Sequence, residues 1–116
     1  MPPSGYNTKQ AQHVQHFLIS CGESLISETL ELGLNATQGL EREIANISIL
    51  LSSSDFSSVE RALFELNLQF YRKLLLSNPY TLDELQANCN KIAEEFRSEI
   101  LSIDKRTKAV LFASQY

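Results

Sequence analysis

The stretch SSVERALFELNLQFYRKLLLS, residues 57–77, decides the fold. Ser57 followed by Glu60 has the pattern of a capping box: the hydroxyl accepts a free N–H of the first turn and the carboxylate accepts the Ser N–H. Asn78-Pro79-Tyr80 ends the run, since proline disfavours helical geometry in the residue before it. Two apolar stripes lie between these signals. Val59, Ala62, Leu63, Leu66, Phe70 and Leu74 recur in steps of one to four and share one helical face. Phe64, Leu68, Tyr71 and Leu75 form a second stripe, rotated from the first by roughly 100° or more. Glu60 and Asn67 separate the stripes on one side, and Arg61, Glu65, Gln69 and Arg72 on the other.

A helix with two apolar faces needs neighbours on both. Each large side chain gains about 1.5–3 kcal/mol on full burial. Leaving the second stripe in water would forgo on the order of 6–12 kcal/mol, comparable with a whole domain's stability. The first stripe reads as ordinary core. The second is either covered within the fold or shared with a partner, because a contiguous exposed patch marks an interaction site.

The flanking segments supply the neighbours. Upstream, a helix is expected from Asn7 or Thr8, after a tail of residues 1–7. Its stripe is Ala11, Val14, Leu18, Cys21, Leu25, Thr29 and Leu32, widened by Phe17 and Ile26. Gly22 is a weak point within it, costing up to about 1 kcal/mol relative to Ala, which close helix packing or a local bend would explain. Gly33 has the character of a residue just past a helix C-terminus. A second helix opens between Asn35 and Thr37, carries Leu40, Ile44, Ile47 and Leu51, and ends in Ser52-Ser53-Ser54-Asp55.

Downstream, Thr81 and Glu84 repeat the capping-box pattern. Leu82, Leu85, Cys89, Ile92, Ala93, Phe96, Ile100 and Ile103 share one face, continued by Thr107, Val110 and Leu111. One helix of about 33 residues would span about 50 Å, against about 36 Å for a first helix of 24 residues. The last helix therefore either overhangs the bundle or bends near Asp104. The expected fold is an all-α, antiparallel four-helix bundle with a long or bent C-terminal helix, over a single domain of residues 8–116; short connections favour antiparallel neighbours. A globin-like helical arrangement is the alternative.

Composition fits one globular domain. The chain has 116 residues, 43% of them hydrophobic and 21% charged, with net charge −4, and neither disulfide nor metal is required at that length. The acidic balance argues against a nucleic-acid partner, which usually requires a basic face. No stretch approaches the roughly 20 apolar residues of a membrane span, and the start, Met-Pro-Pro-Ser-Gly-Tyr, lacks the basic and apolar regions of a signal peptide. A cytoplasmic protein is expected, with Cys21 and Cys89 buried and reduced; a disulfide is the alternative.

No catalytic, cofactor-binding or metal-ligating set emerges. His13 and His16 are three apart on the first helix, but a zinc site needs three or four ligands and Cys21 faces the core stripe. Glu95 and Glu99 lie on a polar face, and adjacent carboxylates such as Glu94 and Glu95 point in different directions. The one basic concentration is Lys105, Arg106 and Lys108, with Arg97 upstream. It suits a helix C-terminus and could dock an acidic partner. The expected function is a non-enzymatic protein-interaction module that self-associates through Phe64, Leu68, Tyr71 and Leu75 with Val110, Leu111 and Phe112. Its partner is protein, a second copy of the chain foremost.

Two resemblances add alternatives. Phe17, Ser20, Gly22, Glu23 and Asn35, with Cys21 as one extra residue, form a pattern that resembles phycobiliproteins, helical relatives of the globins. Phe70 and Tyr71, followed by Leu74-Leu75 and Leu82-Asp83-Glu84, are similar to a later helix-turn-helix of that family. No cysteine stands where a bilin attachment is expected, so the resemblance implies a chromophore-free phycobilisome-type subunit. His16-Phe17-Leu18 with Ser20 and Gly22 resembles histidine phosphotransfer domains, which would make His16 the phosphorylated residue. Ile19 and Ser20 stand where that family carries a Lys-Gly or similar pair.

Overall fold

The computed structural model describes the backbone of residues 4–53 and 55–115, and the side chains of residues 12–53 and 55–98. Four helices follow one another: α1 (Ser4–Glu31), α2 (Ala36–Ser53), α3 (Ser58–Leu76) and α4 (Leu82–Gln115). Each boundary has a local cause. At the end of α1, Gly33 adopts φ 70°, and the N–H groups of Leu34 and Gly33 reach back to the Thr29 and Leu30 carbonyls at 3.0 and 3.1 Å, a Schellman closure. Asn35 opens α2 by a reciprocal cap: its Oδ1 accepts the Gln38 N–H at 2.8 Å and its own N–H donates to Gln38 Oε1 at 3.1 Å. The Ser57–Glu60 box is formed, at 3.2 and 3.0 Å. Asn78 takes the left-handed conformation, φ 54°, between α3 and Pro79. At Thr81 the hydroxyl accepts the Glu84 N–H and donates to the Glu84 carboxylate, both at 3.1 Å.

α1 starts at Ser4 rather than at Asn7 or Thr8. The helix-breaking prolines end at Pro3, and Gly5 in the first turn costs a helix far less than a proline would; residues 1–3 lie outside the described ones. α4 is one helix of 34 residues, unbroken at Asp104. It is about 51 Å long, close to the molecule's longest dimension of 55 Å.

Packing follows two long pairs, α1 with α4 and α2 with α3. Smaller contacts of α1 with α2 and of α3 with α4 close the ring, while α1 and α3 touch little. At one end the Ala36 N–H donates to the Tyr80 carbonyl at 3.1 Å and the Thr37 hydroxyl to the Pro79 carbonyl at 2.8 Å. These bonds join the α1–α2 turn to the α3–α4 turn, so the helices run alternately up and down. Leu18, Leu25, Leu40, Phe70, Leu74, Leu85 and Cys89 form the centre of the core. Two glycines let backbones approach. A Cβ on Gly22 would lie 2.8 Å from Cys89 Sγ, and one on Gly39 would collide with the Thr29 side chain. Close packing, not a bend, therefore accounts for Gly22. Leu32, expected in the α1 stripe, is exposed because the helix has ended at Glu31.

A groove between α1 and α3

The division on α3 runs across the helix rather than along it. In its C-terminal half both stripes are buried: Phe70 and Leu74 from one, Leu68 and Tyr71 from the other. In its N-terminal half the expected core stripe opens, with Val59 70% and Leu63 40% exposed. The cause is the path of the helices. Near Gly22, α1, α3 and α4 converge, since Phe70 and Cys89 both approach that glycine and Tyr71 Oη donates to the Cys21 carbonyl at 2.9 Å. Toward the start of α3, α1 and α3 part.

The parting leaves a groove of about 500 Å³. Phe17, Cys21, Leu63, Phe64 and Tyr71 supply its apolar walls, and Ser20, Ser24, Glu60 and Asn67 its polar atoms. Phe56 packs against Phe64, ring centroids 4.9 Å apart, and fixes one wall. Tyr71 is held by its bond to Cys21, and burial pushes its phenol well above the ordinary range. Burial also raises the Cys21 and Cys89 thiols to about 11. Both cysteines are free and stay protonated at neutral pH. The Ser57 N–H donating to Glu60 holds that carboxyl below its usual value, so the groove's one charged residue is anionic. Asn67 Oδ1 is buried and has no hydrogen-bond partner. Beside the groove, and sharing Ser24 with it, runs an acidic strip of α1 formed by Glu23, Glu28 and Glu31. Glu28 is paired with Arg42 at 2.9 Å, and Arg42 also meets Glu43 at 3.0 Å.

The residues singled out in the sequence divide accordingly. Phe64 and Tyr71 line the groove, Leu68 lies in the core, and Leu75 is half-buried against it. Arg97 is half-buried with an unpartnered Nε. Val110, Leu111, Phe112, Lys105, Arg106 and Lys108 lie outside the residues whose side chains are described. His13 and His16 are exposed on α1. Among the described residues no three His, Cys, Asp or Glu side chains come together as a metal site, and no helix is long and apolar enough to cross a membrane.

Sequence reasoning missed Phe17, Ser20, Cys21 and Ser24 as a groove wall. Their spacing of three, one and three is a helical face, and two serines on such a face signal that it is not wholly core. Glu60 and Asn67, the polar break between the two α3 stripes, mark the opposite wall. No family model, no curated protein and no solved structure matches the chain.

Proposed function

We propose that this chain is a non-enzymatic protein-interaction module that self-associates, with the α1–α3 groove as its receiving surface. One observation carries the reading: an apolar groove that keeps Leu63 partly in water at its wall, with Val59 exposed one turn before it on α3. Covering such side chains is the main favourable term in protein association, and apolar patches with polar rims are where partners dock. In this reading Phe64 and Tyr71 contribute to the contact as groove walls, Tyr71 almost wholly buried. Leu68 and Leu75 support those walls from the core side. Val110, Leu111 and Phe112 of the C-terminal segment are the second half of the contact. The free thiols fit a reducing compartment, and the cytoplasm is the proposed location.

Light scattering on the purified chain tests this. The expected mass is a multiple of 13.1 kDa, falling to the monomer for Leu63→Glu while helicity by circular dichroism is retained. A wild-type chain that stays monomeric up to high micromolar concentration overturns the reading.

A further inference from the structure

We infer that the α1–α3 groove of one copy receives the basic C-terminal end of α4, residues 105–112, from a second copy. The inference rests on the self-association reading and names the piece of chain that enters.

Two of the groove's polar side chains, on its α3 wall, present acceptors. Asn67 Oδ1 is a buried acceptor with no partner, and buried polar groups are nearly always hydrogen-bonded. Glu60 adds an anionic acceptor at the same wall, and the α1 strip with Glu23 and Glu31 extends negative charge along the rim. What fits is an apolar body carrying cations and N–H donors. Lysine and arginine meet that description on a helix, because their aliphatic stems cover apolar surface while the charged ends reach outward.

The chain contains such a segment. Residues 100–116 hold Lys105, Arg106 and Lys108 against the single anion Asp104, a balance of +2 in a chain of net −4, which leaves −6 on the rest. The same segment carries Val110, Leu111 and Phe112. Basic segment and acidic, apolar groove are complementary, which favours encounter and fixes register.

The topology makes the contact intermolecular. α4 is a single helix antiparallel to α1, with Cys89 beside Gly22. That register sets Ser4 level with about residue 107, so the last part of α4 runs on past the start of α1, away from its own groove. It cannot fold back to Phe17 and Tyr71 without breaking the helix. A second copy can accept it, and two copies related by a two-fold axis exchange segments reciprocally.

The test compares full-length chains by light scattering, with circular dichroism to confirm folding. Charge reversal of the segment (Lys105→Glu, Arg106→Glu, Lys108→Glu) is expected to weaken association at least about tenfold. Glu60→Lys is expected to weaken it in the same direction, and joining the two sets to recover part of the loss. A fluorescent peptide of residues 98–116 is expected to bind the charge-reversed chain saturably, and not to bind its Leu63→Glu derivative. Association unchanged by the segment reversal, or no peptide binding, overturns the inference. If Leu63→Glu still abolishes the oligomer in that case, self-association through the groove stands and only the occupant is wrong. A wild-type monomer removes both.

Discussion

Leu63 and Leu68 lie five positions apart on α3 and do opposite work. Leu68 is 8% exposed and packs into the core, whereas Leu63 is 40% exposed at the groove mouth. Leu68→Ala is expected to cost about 2–5 kcal/mol of stability through transfer and cavity terms. Urea denaturation would read that loss, and the oligomeric mass of the folded fraction should not change; an altered mass would put Leu68 in the contact itself. Glu60 is a titratable residue whose stability effect has a defined sign. The Ser57 N–H favours its charged form and lowers its folded-state pKa below 4.5. A depressed carboxyl contributes stability that is present above the unfolded pKa and is lost as pH falls through the folded one. The stability gap between wild type and Glu60→Gln should therefore be steady near neutrality and close below about pH 4.5. A gap that widens in acid would contradict the capping role.

Among the elements, α1 and α2 approach closely at Thr29 and Gly39. Helix propensity alone predicts that Gly39→Ala gains about 1 kcal/mol. The Thr29 side chain occupies the position its Cβ would take, so the sign reverses. Thermal melts should show Gly39→Ala destabilised by about 1–3 kcal/mol, the usual cost of overpacking, with Thr29→Ser in the same chain restoring part of it. A stabilised Gly39→Ala would mean that the helices cross with more room. The number of helices, their order and most of their ends were legible in the sequence. Caps, Pro79 and periodic stripes act over one or two turns and are visible in one dimension. The divergence of α1 from α3 was not. It depends on how far apart two helices settle in three dimensions, which the periodicity of either helix does not encode. Hence the Val59–Leu74 stripe, uniform on a helical wheel, becomes core at one end and groove rim at the other.

For the whole molecule, the α1–α3 groove is the proposed surface on which one copy meets the next. Cys21 lines that groove and Cys89 lies in the core, so the chain carries its own probe and its own control. Both thiols are raised to about 11 by burial and react only through the small thiolate fraction present at mildly alkaline pH. The decisive measurement is the rate of Cys21 alkylation at pH 8.5 across protein concentration, with the sites separated by peptide mass mapping. Cys21 should react at low concentration and become protected in step with the rise in mass, while Cys89 stays unreactive throughout until denaturant is added. A Cys21 rate that stays constant while the chain associates would place the contact elsewhere and contradict the account.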